Sequence, residues 1–341
     1  MTKVRPIEII GGGLAGLSLG LALRRAGVPV TLSDLGQYPR HRVCGEFITS
    51  LAESTITRLG LTSVMQDALH HQQVAWFNDG RQLCTQHLPV PARAMSRHRL
   101  DARLAHAFVA AGGRLHTQTR VPDRMPTAGC VIATGRRRSP SPWIGLKIHV
   151  CNLPLFCDLE VHLGEQTYVG LTRVEDNRVN LCGLFSRREL AAKGSALIIA
   201  YLRAAHLSAL ADRLENTDFD EASFCAVAAL GFDQHLTASP GEVVLGDAGA
   251  LIPPFTGNGM AMALQGAETA LAPLLAYSRG AREWAETCQR IQLALHRRFR
   301  LRLTTAAVLH PFLLQRLRQR WLLRLAQVRL LPFRPLYAAL H

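Results

Sequence analysis

The chain has 341 residues, long enough for one large or two closely joined domains with a sizeable core. Hydrophobic residues make up 48% and charged residues 19%, which excludes an intrinsically disordered chain. The formal net charge is +14, but it is concentrated: no Asp or Glu follows Glu286, whereas eleven arginines do. Neither a recognition motif nor an aromatic stacking platform accompanies that charge, so a nucleic-acid partner is not expected.

The first element is the short apolar run Ile7-Glu8-Ile9-Ile10, read as a strand. No apolar leader or small-residue cleavage site precedes it, and no run of 18 apolar residues occurs, so a cytoplasmic protein is expected. A Gly-rich turn follows, then a helix over 14–26 closed by Gly27, then a second strand over 28–33. Residues 48–70 read as helix, and 74–88 as a hairpin around Asp79-Gly80. A helix over 100–111 leads to strands at 114–121 and 130–134. From residue 144 the pattern changes to four short strands (144–150, 156–163, 167–174 and 178–185), an antiparallel meander. Helix returns over 188–213. A last strand at 243–245 ends at Gly246-Asp247, and helix continues from about residue 259. The eight cysteines show no CxxC pair and no metal-ligand spacing, so reduced thiols and no metal are expected, seven of them as core residues.

Two segments carry the chemistry. Gly11-Gly12-Gly13-Leu14-Ala15-Gly16 opens a helix whose N-terminal N–H groups and dipole suit a pyrophosphate. Gly11 permits the tight turn, Gly13 the close approach of phosphate, and Gly16 the packing of helix on strand. Asp34, at the end of the second strand, stands where an acid meets ribose hydroxyls. Near the other end, Gly246-Asp247 places a carboxylate at a strand terminus. Pro254, Gly257, Asn258, Gly259 and Met260 then lead into a helix whose N–H groups can face the carbonyls of a flavin.

With these segments, Arg42-Val43-Cys44-Gly45-Glu46 and Ser96-Arg97-His98-Arg99-Leu100-Asp101, the chain resembles one FAD-dependent family. It is the family of geranylgeranyl reductases, flavin-dependent halogenases and single-component aromatic hydroxylases (class A flavoprotein monooxygenases). The matches run from residue 7 to about 275, and Cys44-Gly45-Glu46 resembles the geranylgeranyl reductase-like branch. The hydroxylases usually carry His where Ala250 stands, and the tryptophan-halogenase signature is absent.

The resemblance implies an α/β fold: a Rossmann-type, glutathione reductase-like FAD-binding domain with an inserted antiparallel substrate domain and a helical C-terminal tail. The expected pieces are 1–73, 96–143 and 236–283 for FAD, 74–95 and 144–235 for substrate, and 284–341 as the tail. It further implies Arg42 and Arg97 on the phosphate or ribityl side, and Val121 in backbone contact with adenine. Thr134 and Gly135 belong to the family's Ala-Thr-Gly strand, and Asp247 would meet the ribityl hydroxyls. FAD would be reduced by NAD(P)H visiting transiently, then deliver hydride to a C=C bond or activate O2 as a flavin hydroperoxide, on a lipophilic polyketide- or isoprenoid-like substrate. A non-catalytic flavin-binding accessory protein is the remaining alternative.

Cys44 is read as a reactive thiol, a proton donor or a small pocket-lining residue, and Glu46 as a substrate-side polar group or a helix N-terminal carboxylate. His149 and His162 lie in the meander, facing substrate or serving structure. The tail, with Leu313, Leu317, Leu322 and Leu325 among its arginines, reads as a membrane-surface element or as a helix packed on the flavin domain with a solvated basic face.

Overall fold

The computed structural model describes residues 4–121, 127–136, 140–230, 238–327 and 333–340. Strand β1 (Ile7–Ile10), helix α1 (Leu14–Arg25) and strand β2 (Val30–Ser33) form the expected βαβ unit. The next elements are β3 (Phe47–Ile48), α2 (Glu53–Leu59), β4 (Leu69–Asn78), β5 (Arg81–Ala94) and α3 (Arg97–Ala110). After them come β6 (Arg114–His116), β7 (Cys130–Ile132), β8 (Trp143–Cys151), β9 (Leu159–Gly164), β10 (Thr167–Arg173) and β11 (Arg178–Ser186). The chain continues through α4 (Gly194–Ala204), α5 (Ser208–Glu215), β12 (Asp218–Ala228), β13 (Val243–Val244), α6 (Gly259–Ser278), α7 (Trp284–Leu314), α8 (Arg316–Gln327) and α9 (Phe333–Leu340).

The strands make two sheets. The first is parallel, in the order β13-β7-β1-β2-β6. Its central strands are short and mostly apolar because helices cover them, whereas the edge strand β6 is largely exposed. α1 packs against α3 and α6; at Gly20 an added Cβ would stand 3.0 Å from Phe108, so a small residue lets α1 and α3 approach. The second sheet has the order β12-β8-β11-β10-β9-β4-β5-β3. Within it the β4–β5 hairpin joins the meander through a parallel pairing of β4 with β9. The hairpin and the meander are therefore one surface. Val169, Leu181 and Phe185 face away from the first sheet onto α4 and α5, where Ile198, Leu202, Leu210 and Leu214 complete a separate core.

Three sequence expectations are corrected. Residues 48–70 are not one helix: Gly60 ends α2 in the left-handed region (φ 72), and Leu69 to His71 already pair with β5. The helix over 188–213 is two, broken where His206 adopts a positive φ of 58. β12 is an additional strand pairing with β8; its polar, exposed residues hide the alternation a strand needs to be recognised.

Candidate functional site

One continuous cavity of about 810 Å³ runs between the two sheets. At its polar end lie Gly13, Leu14 and Ala15 from the start of α1, with Asp34, Arg42 and Arg97, Thr134 and Gly135, and Gly246 and Asp247. Pro254, Gly257, Gly259 and Met260 line it as well. Gly11 and Gly16 act behind this surface. Gly11 has φ 110, and a Cβ there would lie 2.2 Å from the Ala133 carbonyl oxygen; one on Gly16 would lie 2.0 Å from the Gly11 carbonyl oxygen. Gly13 has no atom within 4 Å of an added Cβ, and no side chain caps α1. The turn thus presents open backbone and unpaired helix N–H groups to the cavity, the cradle that a pyrophosphate needs.

Asp34 is already engaged. One carboxylate oxygen accepts from the Gly12 N–H (2.6 Å), the other from the Gly36 N–H (2.7 Å) and from Arg40 (2.5 Å). Burial would raise its pKa, but these donors and the Arg40 charge outweigh burial and hold it below the ordinary carboxylate value. A carboxylate offers about four acceptor sites, so one remains for a ribose hydroxyl. Tyr38 also donates to the Gly12 carbonyl at 2.5 Å, and neither Tyr38 nor Arg40 was signalled by the motif.

Arg97 grips Asp101 through two bonds of 2.8 and 2.9 Å, and Arg42 meets the same carboxylate at 3.4 Å. Two arginines against one buried carboxylate leave positive charge facing the cavity, as an FAD phosphate requires. Burial raises the pKa of Asp247 even though Arg97, Arg42 and Arg136 pull it back. The cradle, the arginine pair and this carboxylate together fit FAD.

Three sequence candidates lie elsewhere. Asn258 is buried, accepting from Thr49 (3.1 Å) and donating to the Leu340 carbonyl (2.8 Å), so it ties α9 down rather than lining the cavity. Val121 does not line it either. Glu46 is fully buried and heads no helix; it sits before β3 with a positive φ of 60. Its carboxylate accepts the Arg97 N–H (3.0 Å), lies 2.6 Å from His149 Nε2 and 3.5 Å from Lys147 Nζ. Burial opposes that charge, but His149 and Lys147 overcome it and keep the Glu46 pKa low. Lys147 Nζ also lies 3.1 Å from Nδ1 of His41, which does reach the cavity. Burial and the Lys147 charge push His41 down to about 4, so it is neutral at pH 7.

This buried cluster anchors the loop that carries Cys44. Asn180 donates to the Cys44 carbonyl (2.9 Å), and the Glu46 N–H approaches the Cys44 sulfur at 3.5 Å. Burial raises the thiol pKa despite Arg97, so Cys44 faces the cavity as a neutral thiol. Lys147 was missed by sequence reasoning. Its signal is that Lys147 and His149 alternate within the strand 143–151, placing two polar side chains on one face of an otherwise apolar run.

The other end of the cavity is the inner face of the second sheet. Val74, Trp76, Leu159, Val161, Leu163, Tyr168, Cys182 and Leu184 line it at alternate positions of their strands. Of the cysteines only Cys130 and Cys288 are fully buried, whereas Cys84, Cys182 and Cys225 join Cys44 on the cavity wall, a correction to their expected place in the core. His162 is not a substrate ligand: it is buried, 2.9 Å from Glu160 and stacked on Phe77. The tail closes this end through Leu309, Phe312 and Leu313 of α7, while Leu336, Tyr337 and Leu340 of α9 line the cavity beside the start of α6. Leu313 therefore packs inward, while Leu317 and Leu325 are exposed; the side chain of Leu322 lies outside the described residues. Among the described residues no helix is long and apolar enough to cross a membrane.

No protein-family model matches the chain. A curated relative, menaquinone reductase of Mycolicibacterium smegmatis, is 26% identical over 121 residues, which is 34% of this chain and only 30% of that protein. Among solved structures, HpxO of Klebsiella pneumoniae, in complex with FAD and uric acid, superposes with a TM-score of 0.76 at 15% identity. That likeness covers 98% of this chain and 96% of HpxO. PqsL of Pseudomonas aeruginosa, described as a probable FAD-dependent monooxygenase, gives 0.70 at 17% identity over 92% and 98%. The fold is thus the one shared with these FAD-linked proteins, with the antiparallel sheet and helical tail that the sequence led us to expect.

Proposed function

We propose that this protein is an FAD-dependent oxidoreductase that draws electrons from NAD(P)H and acts on a lipophilic small molecule. The observation that carries the reading is the joining of two unlike surfaces in one cavity, a phosphate cradle with paired arginines at one end and an apolar sheet face at the other. FAD supplies hydride chemistry when bound. The chain supplies position and charge: α1 and Arg42 with Arg97 at the phosphates, Asp247 at the ribityl chain, and the start of α6 at the flavin carbonyls.

Reduction of a C=C bond in a polyketide- or isoprenoid-like substrate is the favoured reading. Such a reduction needs a proton beside the hydride, and the neutral thiol of Cys44 at the cavity wall can hold one. The partial similarity to a menaquinone reductase supports the same choice. Oxygenation is the second reading, favoured by the fold shared with PqsL, described as a probable FAD-dependent monooxygenase. Anaerobic reduction of the FAD-loaded protein with NADH or NADPH, followed by mixing with O2, tests both. We expect rapid reduction and reoxidation without a hydroperoxyflavin absorbance. That absorbance would select the oxygenase, and a folded protein with no affinity for FAD would end both readings.

A further inference from the structure

The tail divides into parts with opposite surroundings. α7 and α9 turn apolar side chains into the cavity wall, and α9 is tied down through Asn258. α8 packs by its other side: Gln319 is buried and donates to the Gly164 carbonyl at 3.1 Å. Opposite Gln319, Leu317, Trp321 and Leu325 follow at four-residue steps along one face, and they are 73%, 62% and 40% exposed. Arg318 and Arg324 flank that row. Among the described residues neither they nor the exposed Arg297, Arg300 and Arg334 pair with a carboxylate. After Glu286 the sequence holds no acid to neutralise them.

We infer that α8 is a membrane-docking helix that lies in the surface of an anionic phospholipid bilayer, with Leu317, Trp321 and Leu325 in the headgroup region. Burying two leucines and a tryptophan requires an apolar layer, and uncompensated arginines around them select one that is negatively charged. An amphipathic tryptophan suits the boundary between headgroups and acyl chains. The inference goes beyond the flavin chemistry and needs none of it; only a link to substrate supply, through the neighbouring α7 and α9 wall, rests on the proposed lipophilic substrate.

Co-sedimentation of the full chain with phosphatidylglycerol-containing and pure phosphatidylcholine vesicles tests it, without substrate or turnover. We expect binding to the anionic vesicles only, with affinity falling at least tenfold between 0.05 and 0.5 M salt, since exposed charges are screened within a few ångströms at high salt. The triple variant Leu317→Gln, Trp321→Gln, Leu325→Gln alters only exposed side chains. It should lose binding at least tenfold while keeping wild-type circular dichroism and FAD affinity. Equal binding by the variant would mean that the arginines act without α8, and equal binding to neutral vesicles would remove the charge argument; either overturns the inference. So would a lipid-free dimer that the triple substitution dissociates, because the face would then belong to a second copy of the chain. Failure to bind FAD would strike the proposed function and leave this result untouched.

Discussion

The two ends of the cavity are built by different means. The polar end is made largely of backbone: a glycine turn and two helix N-termini, with carboxylates at the tips of parallel strands and arginines from the loop before β3 and the start of α3. The apolar end is made of side chains from β4, β5 and β9 to β12, closed by a helix more than a hundred residues away in sequence. A backbone site tolerates few residue types, because conformation and close approach decide them. A side-chain site tolerates many, because any apolar residue of suitable volume fills it.

The largest effect is therefore expected where backbone meets backbone. Gly11→Ala places a Cβ 2.2 Å from the Ala133 carbonyl oxygen at a φ of 110. Strain at that φ and overpacking against β7 together cost on the order of 3–5 kcal/mol. Thermal denaturation should show a large drop in Tm, and FAD should no longer be retained. Near-wild-type stability and FAD affinity in this variant would mean that the polar end does not depend on the turn.

The same contrast explains what was legible in the sequence. Gly11 to Gly16, Asp34 and Gly246-Asp247 could be located because each is demanded by geometry that only certain residues satisfy, whereas Arg97 was marked only by the family resemblance. Asn258 and Glu46 occupy motif positions, yet their side chains turn to α9 and to His149 and Lys147. A motif specifies a place in the chain, not the neighbour that tertiary packing brings there. Trp76, Tyr168 and the three wall cysteines carry no local signal, since their shared face exists only once the hairpin pairs with the meander. The tail was ambiguous for the same reason: Leu313 and Leu317 are one helical turn apart in sequence, but one is buried and the other exposed.

A smaller effect, dependent on pH, is expected at Glu160, which supports the apolar end from β9. Its buried carboxylate accepts from Arg213 (2.7 Å) and the Phe156 N–H (2.6 Å) and lies 2.9 Å from His162. Burial would raise its pKa, but His162, Arg213 and Phe156 bring it down to about 2 from an ordinary 4.5. A carboxyl that releases its proton more readily when folded stabilises the fold above its unfolded pKa. The contribution, about 3 kcal/mol, is complete above about pH 5 and is lost as pH falls towards 2. Denaturant unfolding of the wild type and Glu160→Gln should therefore differ by that order at pH 7, and the gap should narrow steadily below pH 4.5. A gap that does not change with pH would show that lost packing, rather than ionisation, accounts for the difference.

The smallest effect should appear in the wall itself. Trp76 presents its ring to the cavity, yet its Nε1 is buried without a hydrogen-bond partner among the described residues. A buried N–H with nothing to donate to is costly, and a ligand oxygen at that place would relieve the cost. Trp76→Phe keeps most of the apolar surface and removes only the donor. With a prenylated naphthoquinone as a probe for the proposed isoprenoid-like substrate, binding should weaken by about 1 kcal/mol, roughly fivefold, whereas the prenylated naphthalene without carbonyl oxygens should bind the two proteins alike. FAD affinity should not move, because Trp76 lies on the second sheet, away from the glycine turn. Equal weakening of both ligands would make Trp76 a space-filling wall, and the apolar end would then recognise shape alone. Selective weakening of the quinone would instead give that end a single polar contact, the counterpart of the many that hold the cofactor at the other.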